Sequence, residues 1–184
     1  MPYQPRFNEQ KTTEATAIFL DLNGGKMNYM KLLKLLYLTD RKAFKKWERP
    51  ITYDSYVSMK FGPVLSSTYD LIKGSFAGSK YWSNTIATEK YEVILKDKPP
   101  KIKKLSQAEI DLIKEIFKEY GKHNKYKLSR ITHSLPEYRD PPHGSSIPIP
   151  MDSLLEALNY NTKDIKRIFS ELQEEASITE TFGT

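Results

Sequence analysis

The chain has no cysteine among its 184 residues, which excludes disulfides, thiol nucleophiles and Cys-ligated zinc. Histidine is nearly as scarce. His123, His133 and His143 lie in three different segments, at a spacing that no helix or loop uses to gather metal ligands, so no metal site and no cofactor are expected. Glycine numbers only eight, and no glycine pattern forms a Walker A loop, a dinucleotide-binding turn or a nucleophile elbow; HExxH is missing too. No catalytic residue can therefore be named. No apolar run approaches the roughly 18 residues of a membrane span, and Met1-Pro2-Tyr3-Gln4-Pro5-Arg6 lacks the apolar stretch of a signal peptide. These absences predict a cytoplasmic protein without a membrane partner.

What is present is an ordinary globular composition, 39% hydrophobic and 28% charged, predicting one domain over 1–175 and a flexible tail over 176–184. The net charge is +6 and unevenly spread. Residues 151–184 carry three basic and seven acidic side chains, leaving 26 basic and 16 acidic on residues 1–150. A basic body with an acidic end suits an acidic partner, protein or nucleic acid, that meets the body alone.

The hydrophobic spacing predicts a mainly α protein, a compact helical bundle around a central apolar helix at about 28–46 with a small β-hairpin at about 90–105. Ala15, Ile18, Phe19 and Leu22 mark a first helix that stops at Gly24-Gly25. Asn28 caps the second, whose apolar residues, from Tyr29 to Phe44, cover more than half of its circumference. Gly62-Pro63 reads as the start of a helix to Lys73, and Ser106 with Glu109 as a capping box for a helix to Tyr120. A short helix at 127–134 precedes a Pro-, Gly- and Ser-rich loop over 135–150. Ser153 and Asn161 open two last helices, the second ending near Glu175.

On the second helix Lys31, Lys34, Arg41, Lys42 and Lys45 fall within an arc of roughly 100° around Leu38, a basic stripe with an apolar tooth. Tyr53, Tyr56, Lys60, Phe61 and Tyr69 follow, aromatics beside a cation that suit a protein interface or a base-stacking surface. The ordinary alternatives are, for the stripe, the solvated face of a core helix with Leu38 packed under a neighbouring segment and, for the aromatics, core packing. Asp40, Asp54 and Asp70 read as turn caps, or as acid and base should the fold bring them together.

Residues 32–74, with Lys34-Leu35-Leu36-Tyr37, then Pro50-Ile51 and Asp54, then Gly62-Pro63-Val64 and Tyr69, resemble the Panacea-domain antitoxins, the SocA-like and phage-associated GepA-like proteins. Leu105-Ser106, Leu128-Ser129 and Thr132-His133 keep the family's order, so the resemblance spans about residues 10–160. Pro136-Glu137-Tyr138 departs from it, where the family has Pro-Trp. The resemblance implies a compact, largely helical domain that neutralises a cognate protein toxin, encoded by an adjacent gene, through direct contact and without catalysis. It also implies a protease or chaperone as a further partner where a member delivers its toxin for degradation. The candidate contact residues are Lys34, Leu38, Arg41, Lys45, Tyr53, Tyr56, Lys60 and Phe61. A DNA-binding phage or mobile-element regulator is the second reading and a small hydrolase the third.

Overall fold

The structure, a computed structural model, describes residues 5–77 and 79–182. Helix α1, Glu9–Leu22, is capped by the Asn8 side chain, which accepts from Lys11 N, and ends before Gly24 and Gly25 at φ 82° and 96°. Strand β1, Lys26–Asn28, leads directly into α2, Tyr29–Trp47, where Asn28 accepts from Met30 N. Strands β2 (Tyr56–Met59) and β3 (Gly62–Leu65) then precede α3 (Ser66–Lys73) and α4 (Tyr81–Thr85). A second hairpin, β4 (Ile86–Glu89) and β5 (Glu92–Leu95), is followed by α5 (Gln107–Tyr120) and α6 (Lys125–His133). Strand β6 (Ile147–Ile149), α7 (Met151–Ala157) and α8 (Thr162–Phe182) complete the described chain.

Helix α2 is buried at every position from Leu32 to Asp40, so that stretch is covered on all sides rather than on one stripe. Its cover is mixed. It touches α1, α3, α5 and α6, and also β1 and β3. The strands form two antiparallel three-stranded sheets, ordered β1-β5-β4 and β3-β2-β6. The fold is thus mainly α with some β, and sheet covers part of α2 where helices alone were expected.

Besides the helix expected to open at Ser153, which begins instead at Met151 after Pro150, four local expectations are corrected. The hairpin lies at 86–95, not about 90–105, turning at Lys90 with φ 55°; Ile102 and Leu105 lie beyond Pro99-Pro100 outside any strand. Residues 135–150 are not all loop, because Ile147–Ile149 pairs with β2. Helix α8 does not stop near Glu175 but runs to Phe182, its last turns supported by Ser177, Thr179 and Thr181 hydroxyls donating to carbonyls four residues back; residues 183–184 lie outside the described residues.

The fourth correction concerns Gly62-Pro63, which closes the β2–β3 hairpin instead of opening a helix. Gly62 sits at φ 103°, a conformation that L side chains rarely adopt, and Pro63 lies in an edge strand, where its missing N–H costs no ladder bond. Helix α3 starts three residues later, after Leu65, which supplies no capping side chain. Asp54 caps it from a distance. Its carboxylate accepts from Ser67 N at 2.8 Å, Thr68 N at 2.9 Å, the Thr68 hydroxyl at 2.7 Å and Ser55 N at 2.8 Å. Asp54→Ala is expected to cost about 2–3 kcal/mol, read as a lower urea midpoint, because two N–H groups in the first turn of α3 lose their acceptor together with Ser55 N and the Thr68 hydroxyl. An unchanged midpoint would show that water caps α3 as well as the carboxylate does.

Candidate functional site

The family-like residues of α2, of the β2–β3 hairpin and of α6 converge on one buried polar node. Lys34 is fully buried, and its ammonium donates to the Pro63 carbonyl at 2.7 Å. Burial brings its pKa down to about 7. Gly62 lies against it so tightly that a Cβ there would stand 2.7 Å from the Thr132 hydroxyl oxygen and 3.2 Å from both Lys34 Cε and His133 Cδ2. The glycine thus serves two needs, a turn conformation and the close approach of α6.

One and two turns further along α2, three ionisable groups share one hydrogen-bond chain. The Tyr37 hydroxyl donates to Glu137 Oε1 at 2.8 Å, and Arg41 donates to the same carboxylate through Nε at 2.8 Å. Glu137 has a fully buried side chain, so this pairing gives a charge that cannot reach water its two donors. The Tyr37 ring packs edge-on against Tyr56, 5.4 Å between centroids, and Tyr56 in turn donates to Asp40 at 2.9 Å. Asp40 also accepts from Ile51 N, Thr52 N and the Thr52 hydroxyl. Burial raises Asp40 to about 6 against the pull of these four donors, and it pushes both tyrosines well above their ordinary range.

Chemically, this node closes loops. Asp40 holds residues 51 and 52, Asp54 starts α3, and the buried Glu14 of α1 accepts from the backbone of Lys103, Lys104 and Leu105. The capping role weighed for Asp40 and Asp54 is the one their hydrogen bonds describe. Asp70 is exposed on α3.

The eight candidate contact residues separate into two groups. Lys34, Leu38 and Tyr56 are buried, and Arg41 is committed to Glu137. The basic stripe is therefore not an open face. Lys31 donates to the Gly121 carbonyl at 2.6 Å, and Lys42 pairs with Glu115 at 2.7 Å. These partners lie some 70 to 100 residues away, which no local pattern could reveal. Charge reversal at Lys34 and Arg41, or Leu38→Asp, would report on folding rather than on partner contact. The other group reaches solvent. Lys45, Lys60 and Phe61 are exposed, and Tyr53 is half-buried with its hydroxyl donating to Glu175 at 3.1 Å.

Tyr53 lines a groove of about 850 Å³ between the start of α1 and the last turns of α8, alongside Phe7, Lys11, Tyr81 and Leu172. The histidines are dispersed: His133 stacks on Tyr138 at 4.4 Å, His123 packs by Tyr120, and His143 is exposed in the loop before β6. Among the described residues no group of three or more His, Asp or Glu side chains could hold a metal ion, and no helix is long and apolar enough to cross a membrane.

Missing from the sequence reading was a second exposed surface. Tyr126, Arg130 and His133 stand on one outward stripe of α6, with Lys127 beside them. The Ser129 hydroxyl donates to the Phe61 carbonyl at 2.8 Å, and Tyr138 donates to the Met59 carbonyl at 3.0 Å, which fixes the β2–β3 turn against this helix. The available signal was the run from Gly121 to Pro136, which carries four Lys and Arg residues and no carboxylate.

The domain is mainly α, and its buried helix α2 is joined to the β2–β3 hairpin and to the segment after α6 through buried Lys, Asp and Tyr side chains. The family model described as antitoxin SocA-like, Panacea domain, matches residues 32–138, more than half of the chain and the stretch that builds this node. The chain belongs to that family. No curated protein and no solved structure matches it.

Proposed function

We propose that this protein is the antitoxin of a toxin–antitoxin pair and neutralises a protein toxin by binding it directly. The observation that carries this reading is the family match over residues 32–138. The geometry is consistent with it: ionisable side chains that could do chemistry are used up in holding loops, while cations and aromatics at Lys45, Lys60 and Phe61 stand in solvent. Neutralisation of this kind needs a standard-sized interface with a few anchors and no reaction. A single domain over 1–175 that acts in the cytoplasm, beside its toxin, completes the reading.

The test is growth. Inducing the adjacent gene alone in a bacterial host is expected to stop colony formation, and co-inducing this chain is expected to restore it. Colony counts that stay low with both proteins present would overturn the antitoxin reading.

A further inference from the structure

Of the charged surfaces on this molecule, many are already neutralised. Lys42 and Lys46 pair with Glu115, Arg49 with Glu175, Arg167 with Glu48 and Lys26 with Glu92. The surface formed by α6 and the β2–β3 turn differs. Lys60, Lys127 and Arg130 make no ion pair among the described residues, and they surround Phe61 and Tyr126, which are 49% and 62% exposed. Exposed aromatic rings beside unpaired cations are a combination that protein interfaces use.

Each exposed ring also lies beside a lysine ammonium. Lys60 Nζ lies 5.5 Å from the Phe61 centroid, Lys125 Nζ 5.1 Å from the Tyr126 centroid, and His133 stacks on Tyr138. The Ser129 and Tyr138 hydrogen bonds fix the turn to the helix, so the surface is preorganised and binding would order few further groups. Interface cores are enriched in Tyr, Phe and Arg and are bordered by a polar rim, and here Phe61, Tyr126 and Arg130 have the exposed Lys60 and Lys127 beside them.

Resting on the antitoxin reading, we infer that the exposed stripe Tyr126–Arg130–His133 of α6, with Lys60, Phe61 and Lys127, is the docking face for an acidic surface of the toxin protein. Phe61 and Tyr126 are the anchors, and Arg130 is the central cation. Lys60 and Lys127 steer the encounter, so association is fastest at low salt. Lys45, in the last turn of α2, is not part of this face.

The test uses the full chain with Phe61→Ala, Tyr126→Ala, Lys127→Glu and Arg130→Glu together. All four side chains are exposed, so the melting temperature is expected to stay within a few degrees of wild type. Should it fall further, the pair Lys127→Glu and Arg130→Glu replaces it. The expected result is lost rescue against the adjacent gene's product and affinity for that product reduced about 100-fold or more. Full rescue with unchanged affinity overturns this face and leaves the antitoxin reading standing. Unchanged rescue with loss of a salt-sensitive shift of promoter DNA overturns it too, and assigns the face to nucleic acid. Failure of the wild type itself to rescue overturns the antitoxin reading, and this inference with it.

Discussion

Gly62→Val is expected to lower the unfolding free energy by about 3 kcal/mol or more, read as a large fall in urea midpoint. Two causes add. At φ 103° any Cβ is strained, and a branched side chain is strained further, for about 1–2 kcal/mol. The new atoms would also stand inside the contact distance of Thr132, Lys34 and His133, forcing α6 away from β3. Gly24→Val is the internal control: φ is 82° there, but nothing lies within 4 Å of the added Cβ, so the loss is the conformational strain alone, about 1–2 kcal/mol. Equal losses at the two positions would mean that α6 does not press on Gly62 and that the node is looser than its distances say.

Lys34→Met is expected to stabilise the protein at neutral and mildly acidic pH, against the intuition that a motif residue should not be touched. Burial takes the ammonium's pKa from 10.5 to about 7, so between those values the unfolded chain holds a proton that the folded chain has released. Stability of the wild type therefore climbs as pH rises through that window, and below pH 7 both states are charged and the full burial cost is present. The window is worth at most on the order of 5 kcal/mol. Methionine fills similar volume without the charge and loses one hydrogen bond, worth about 1 kcal/mol. The gap between variant and wild type should thus narrow by about 3 kcal/mol between pH 7 and pH 9.5, measured by urea denaturation at each pH. Asp40, raised to about 6, makes its own contribution below this window: stability present at low pH is lost as pH rises through 6. Tyr37 and Tyr56, raised well above the ordinary 10.0, enter only as pH passes 10, beyond the range of this measurement. A gap that does not change with pH would show that Lys34 is not desolvated. Rescue of growth should survive Lys34→Met, because the side chain has no surface to offer a partner.

The local devices of this fold could be read from the chain. Asn8, Asn28, Ser106 with Glu109, and Asn161 each accept a hydrogen bond from a backbone N–H two or three residues away, so their whole mechanism lies within a short window of sequence. The devices that act across the chain could not. Gly62-Pro63 carries a local helix-start signal, but Asp54 supplies the cap later and β2 captures the pair into a strand. Strand β6 is three residues around a proline and exists only because β2 offers it an edge. The same distance effect misled the reading of α2. A 100° arc of cations looks like a solvated face until Gly121, Glu115 and Glu137 are folded onto it, whereas the acid-free run on α6 keeps its charges in water.

Direct binding is the claim on which the functional account turns, and size-exclusion chromatography of this protein with the purified product of the adjacent gene tests it most directly. The account predicts co-elution at the combined mass at low salt, with growth rescued in the same pair. Rescue while the two proteins elute separately would contradict it, because neutralisation would then proceed without a stable complex.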